Sequence, residues 1–209
     1  MRVAIADDSP HLRAGLRALV ASVGAQVVAV VGRGHDLVDV VTDAPVTEPV
    51  DVALVDMRMP PTLTDEGLRA ARQIKALRPA TAVLVFSADD EAPYAADLLR
   101  DSPGGVGYVL KSTITDRDQL RSVLTRLSAG EVVVDNDVAR QLLSRPGAAP
   151  ALAVLDDRQR AALVLAVQGK AVSEPVLAGL RDTLGFPLGL GGTAGPVAAE
   201  LIAWLLAPA

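Results

Sequence analysis

Val52-Ala-Leu-Val-Asp-Met-Arg-Met-Pro60 decides the fold: an apolar run stops on Asp56 and is closed four residues later by proline. An uninterrupted apolar run, without polar alternation, is what a strand covered on both faces requires, and such strands belong to parallel sheets. Outward from it, Arg2 to Ala6, Gln26 to Val31, Val50 to Val55, Thr81 to Phe86 and Val106 to Leu110 read as five strands. Between them apolar residues recur at helical spacing: Leu12, Leu16, Leu19 and Val23; Leu68, Ala71 and Ile74; Leu120, Val123, Leu124 and Leu127. Strand and helix alternating five times predicts an α/β fold, a five-stranded doubly wound parallel sheet with helices on both faces. Right-handed crossovers in such a sheet leave a ligand crevice outside the carboxyl ends of the strands.

The alternation stops after Gly130. Glu131 to Asp135 reads as an extended piece and Val138 to Leu143 as a short helix, before a linker, Ser144-Arg-Pro-Gly-Ala-Ala-Pro150. Three regions follow: residues 1–130, a connecting segment 131–152, and a smaller all-α domain over 153–209. In the last, Asp156 or Asp157 caps a helix running to Gln168, Ser173 with Glu174 opens a second, and a glycine-rich break from 185 to 195 precedes an apolar helix from about Pro196 to Leu206.

Composition agrees. Half of the 209 residues are hydrophobic but only 2% are aromatic, so Ala, Val and Leu must build the core. A net charge of −5 denies the whole chain the basic footprint of a nucleic-acid binder. Cysteine is absent, which removes disulfides, thiolate metal sites and thiol nucleophiles from consideration. The start, Met1 to Pro10, carries no charged and apolar leader pattern and no membrane span, and the chain reads as cytoplasmic.

Asp7 and Asp8 follow the first strand directly, Asp56 the third, Ser87 the fourth and Lys111 the fifth. Singly, an aspartate after a strand is a turn residue or cap and a lysine is solvated surface. Jointly, these positions meet in one crevice. Three clustered carboxylates repel and are best stabilised by a hard cation with oxygen ligands, such as Mg²⁺. A lysine ammonium and a serine hydroxyl beside them would each hold one phosphoryl oxygen while Asp56 attacks phosphorus in line, the chemistry of acyl phosphate formation. Asp36, Asp39, Asp65 and Glu66 read as caps and solvated helix faces, and His11 and His35 have no ligand partners. No separate substrate-binding elements appear, so an enzyme working through a phosphoaspartate intermediate is set aside.

The segments IADDSP, VALVDMRMP, VFSA and GYVLKS resemble those of two-component response-regulator receivers with a flavodoxin-like fold, in particular the LuxR-type, NarL-like group. The stretch VALVDMRMPPTLTDEGLRAA is similar to a form of it found in actinobacteria. The resemblance covers residues 1 to about 145. It implies that Asp7 and Asp8 hold Mg²⁺ with Asp56 and the backbone carbonyl of Arg58, that Asp56 accepts the phosphoryl group from a sensor histidine kinase, and that Ser87 and Lys111 act as switch hydroxyl and site lysine. It implies also that Tyr108 is the rotating aromatic of the switch, and that two copies could dimerise.

Leu155 to Lys170 resembles the first helix of a LuxR-type helix-turn-helix domain, but the likeness decays beyond it and the domain is degenerate. Over 151–209, four basic residues (Arg158, Arg160, Lys170, Arg181) stand against five acidic ones (Asp156, Asp157, Glu174, Asp182, Glu200), a net charge of −1. The helix at the recognition position, 196–206, offers Glu200 as its only charged side chain, whereas base and phosphate contacts need Arg, Lys, Asn, Gln, Ser or Thr. Two readings of the output follow: transcription control through DNA, as the resemblance implies, or a signalling adaptor whose C-terminal domain binds protein.

Overall fold

The computed structural model describes residues 1–88, 92–100, 104–114, 116–144, 152–168 and 170–184. Strand and helix alternate as β1 (Arg2–Ala6), α1 (Pro10–Ser22), β2 (Gln26–Val31), α2 (Gly34–Asp43), β3 (Val52–Asp56), α3 (Glu66–Leu77), β4 (Ala82–Ser87), α4 (Ala92–Arg100), β5 (Val106–Leu110) and α5 (Arg117–Ser128). Then come β6 (Val132–Val134), α6 (Asn136–Leu143), α7 (Asp157–Val167) and α8 (Glu174–Leu184). Helix starts carry their own caps: the Ser9 hydroxyl accepts the Leu12 N–H ahead of α1 with Pro10 in the first turn, and Asp116 accepts from Asp118 and Gln119 ahead of α5.

All strands run parallel in the order β2-β1-β3-β4-β5-β6. The doubly wound class is as expected, but the sheet has six strands and not five. The piece read only as extended, Glu131 to Asp135, supplies β6, pairing Val106 with Val132 and Tyr108 with Val134. Three residues are too short to register as a strand in sequence; pairing to an existing edge is what holds them extended. Strands β3 and β4 also end one residue later than their apolar runs suggest, because the ladders continue through Asp56↔Phe86 and Ser87↔Leu110. Asp56 and Ser87 are therefore the last residues of rigid strands.

The strand period of two divides the core. Val3, Ile5, Val52, Leu54, Leu84, Phe86 and Val109 face α1 and α5, where Val20, Leu120, Leu124 and Leu127 cover them. Ala4, Ala53, Val55, Val83, Val85, Val106 and Tyr108 face α2, α3, α4 and α6. Each fully buried Val or Leu contributes about 1.5–3 kcal/mol. The first helix covers less than its leucines promise: Leu12 is 45% exposed and Leu16 and Leu19 are half-buried.

Helix α7 opens on a reciprocal cap, Asp156 Oδ1 accepting the Gln159 N–H at 2.7 Å while Gln159 Oε1 accepts the Asp156 N–H at 3.0 Å. It buries Ala162, Leu163, Ala166 and Val167 in the same apolar cluster as Val138, Ala139 and Leu142 of α6 and Val134 of β6. Helix α8 adds Leu180 and is tied to α7 by the Gln159 amide donating to Thr183 Oγ1 at 2.9 Å. The linker from 145 onward, the glycine-rich break and the apolar helix expected over 196–206 lie outside the described residues. No helix among the described residues is long and apolar enough to cross a membrane.

Candidate functional site

The carboxyl ends of β1, β3, β4 and β5 deliver the expected residues to one place. Asp7, Asp8 and Asp56 each present a carboxylate oxygen within 4.8 Å of the others, Asp7 and Asp56 buried and Asp8 exposed. Lys111, just past β5, reaches across the sheet: its Nζ lies 2.7 Å from Asp56 Oδ1 and 3.1 Å from Asp7 Oδ2. Ser87 ends β4 beside them, 1% exposed, and its carbonyl accepts the Lys111 N–H at 2.7 Å. Neighbouring parallel strands thus fix the lysine relative to the serine through the backbone.

The electrostatics follow from the geometry. Burial pushes the Asp56 carboxyl above the usual carboxylate range; the Lys111 ammonium opposes this, and the negative Asp7 and Asp8 reinforce it. Burial pulls Lys111 down, but its hydrogen bonds and charge pairing with Asp56 and Asp7 outweigh that and hold its ammonium above the ordinary lysine value. One lysine between three carboxylates leaves net negative charge in a half-closed site, which suits a hard cation with oxygen ligands.

Several supporting residues carry no signal in residue type. Arg13 of α1 turns back so that its Nη1 donates to the carbonyls of Asp7 at 2.6 Å and Asp8 at 3.0 Å, pinning the acidic turn, while Asp7 Oδ1 accepts the Ser9 N–H at 2.8 Å. Gly67, in the first turn of α3, packs on the end of β3: a Cβ there would lie 2.0 Å from the Asp56 carbonyl oxygen. Only glycine permits that approach, and its N–H donates to the Met57 carbonyl at 3.0 Å. The Asp-Glu-Gly run after the prolines was the available clue.

Glu66 corrects its reading as a solvated helix residue. It is 8% exposed and gathers the loop ahead of α3, accepting the N–H groups of Thr62 and Thr64 at 3.0 Å each and the Thr62 hydroxyl. Helical spacing cannot reveal this, because the partners lie in the preceding loop. Tyr108 is fully buried on β5. Arg58 sits two residues beyond Asp56 with an exposed side chain. His35 pairs with half-buried Asp36 at 2.9 Å; His11, given no role, lines a cleft with Asp7 and Lys111.

With this geometry in view, the family model described as the response regulator receiver domain matches residues 3–125. The chain is 32% identical over 145 residues to the uncharacterized transcriptional regulatory protein YxjL of Bacillus subtilis, covering 69% of this chain and 62% of that one. The chain therefore spans a little under two thirds of that relative's length. Among solved structures, the signal receiver domain of the putative response regulator NarL from Mycobacterium tuberculosis is 28% identical with a TM-score of 0.51, over 62% of this chain and 96% of that one. The RcsB response regulator of Salmonella typhimurium, 21% identical, aligns over 90% of this chain and 93% of its own with a TM-score of 0.56, a likeness of fold.

Proposed function

The chain belongs to the response-regulator receiver family, and on that premise we propose that it is a cytoplasmic two-component response regulator that accepts a phosphoryl group on Asp56 from a sensor histidine kinase. The observation that carries this reading is the placement of Lys111 Nζ, 2.7 Å from Asp56 and 3.1 Å from Asp7, inside a trio of carboxylates. Asp7, Asp8, Asp56 and the backbone carbonyl of Arg58 are the groups that would hold Mg²⁺, which when bound supplies positive charge against the carboxylates and the incoming phosphoryl oxygens. Asp56, fixed as the last residue of a buried strand, attacks phosphorus as the bond from phosphorus to its donor breaks, leaving an acyl phosphate. Lys111 exchanges its contact with the Asp56 carboxylate for one with a phosphoryl oxygen, and Ser87 donates its hydroxyl to another. Tyr108 then completes the switch with Ser87, and the family's pattern adds self-association of the phosphorylated form. Phosphorylation by acetyl phosphate tests the site: labelling that needs Mg²⁺ and stops on chelation is the expected result, and labelling indifferent to the metal would contradict it.

By its likeness to a transcriptional regulatory protein, the output is control of transcription, with DNA as partner. A second reading, a signalling adaptor that binds protein, is favoured by the net charge of −1 over residues 151–209, which lacks the basic footprint of a DNA-binding domain. Salt-dependent binding to genomic DNA separates them: a steep loss of affinity with rising salt supports the transcriptional reading, and no retention supports the adaptor.

A further inference from the structure

Asp135 stands between β6 and α6, 7% exposed, where a residue is needed only to cap a helix. Its Oδ1 does that, accepting the Asp137 N–H at 3.2 Å. Ser, Thr or Asn would cap as well. The second oxygen faces the other way: Oδ2 accepts the N–H of Leu110 at 3.3 Å and the hydroxyl of Thr113. Its own backbone N–H donates to the Tyr108 carbonyl at 3.2 Å. Among the described residues, the hydrogen bonds that Asp135 makes outside the start of α6 thus end in residues 108–113. Leu110 and Thr113, which bracket Lys111, are also closed on each other by the Thr113 N–H to Leu110 carbonyl bond of 3.0 Å.

We propose that Asp135 is a positioning residue for phosphotransfer, holding the β5–α5 turn from both sides so that the Lys111 ammonium stays against Asp56. The proposal rests on the phosphoacceptor reading above and deepens it. Lys111 reaches its partners on a long flexible side chain, and only its backbone decides where that reach begins. The Ser87 carbonyl holds the Lys111 N–H from the sheet side; Asp135 holds the residues before and after it. A displacement of about 1 Å in such a group costs on the order of 10²-fold in rate.

The test uses the full chain, Mg²⁺ and acetyl phosphate, with initial phosphorylation rates for wild type, Asp135→Ala, Lys111→Ala and the double variant, and amide exchange at Leu110 as a second readout. Asp135→Ala should slow phosphorylation about ten- to a hundredfold, and its Leu110 amide should exchange faster. In the Lys111→Ala background the same change should add almost nothing, because a residue acting through Lys111 has nothing left to position. Thr113→Val, which removes one bond of the array and leaves the α6 cap in place, should give a smaller loss that also vanishes without Lys111, and it carries the test if Asp135→Ala does not fold. A wild-type rate in Asp135→Ala, or an equal loss with and without Lys111, would overturn the proposal while leaving Asp56 as phosphoacceptor. A wild-type protein that takes no phosphoryl group would instead overturn the phosphoacceptor reading itself.

Discussion

Lys111 Nζ and Asp56 Oδ1 are 2.7 Å apart, a contact between the ends of two strands that are not neighbours in the sheet. Asp56 meets this cation with its carboxyl still above the ordinary range, because burial first, and then Asp7 and Asp8, outweigh what Lys111 contributes. A carboxyl whose folded pKa is raised costs stability when ionised, and that cost fades as pH falls through the folded value. In metal-free buffer, Asp56→Asn should therefore be more stable than wild type at pH 7, read as a higher Tm, with each ~1 kcal/mol of gain worth roughly 2–4 °C for a chain of this size. The difference should shrink toward pH 4. Thermal melts across that range check it; an asparagine variant less stable at every pH would contradict it.

The same contact gives the opposite sign for the lysine. A raised folded pKa means stability present below the unfolded lysine value, near ~10.4, and lost as pH climbs through the folded one. Lys111→Ala should cost about 1–3 kcal/mol at pH 7, since it strips a charged hydrogen-bond donor from two buried carboxylates. The deficit should vanish in strong alkali. Chemical denaturation at pH 7 and at rising pH above ~10.4 follows the loss.

Gly67 makes a sharper demand. With the Asp56 carbonyl 2.0 Å from where a Cβ would stand, Gly67→Ala must push α3 away from β3 or bend the strand end. Overpacking of this kind costs about 1–3 kcal/mol. Because the strand that moves carries Asp56, phosphorylation should slow along with the loss of stability. An alanine variant with wild-type rate and melting would show that α3 yields freely.

What the sequence disclosed and withheld sorts by range. Asp7, Asp8, Asp56, Ser87 and Lys111 were legible because each abuts an apolar run, and the parallel sheet gathers run ends at one edge. Arg13, Gly67 and Asp135 were not, since their roles lie in backbone atoms of other elements: the carbonyls of Asp7 and Asp8, the carbonyl of Asp56, the amide of Leu110. Glu66 was misread for the same reason. The strand Val132–Val134 exists because β5 offers an edge, and no periodicity in three valines announces that.

Glu66 yields an acid-side prediction. Burial pushes its carboxyl up, but the Thr62 hydroxyl and the loop amides outweigh that and hold it below the usual range. Its contribution is thus present above the unfolded glutamate value, near ~4.3, and lost as pH falls through the lower folded value. Glu66→Gln should destabilise at pH 7 by about 1.5–3 kcal/mol, the range for hydrogen bonds to a charged group, and the gap should narrow as pH falls below ~4.3. A constant gap would assign the loss to packing alone.

Arg126 ties the end of α5 to the C-terminal helices, with Nε 2.8 Å from Glu131 Oε2 and Nη2 2.6 Å from the Gln168 carbonyl at the end of α7. Gln168 in turn donates through Nε2 to Asn136 Oδ1 at 2.9 Å. Arg126→Ala should speed amide exchange in α7 more than in β1 or β3, and a uniform change would indicate global destabilisation.

The central claim is that Asp56 carries the phosphoryl group, and chemical trapping tests it most directly. The chain is phosphorylated with acetyl phosphate and Mg²⁺, reduced with borohydride, which converts an acyl phosphate of aspartate to homoserine, and digested for peptide mass mapping. Homoserine at position 56 alone, absent from Asp56→Asn and from unphosphorylated protein, is the predicted result. Homoserine at Asp7 or Asp8 instead, or an unchanged yield of phosphorylated protein in Asp56→Asn, would contradict it.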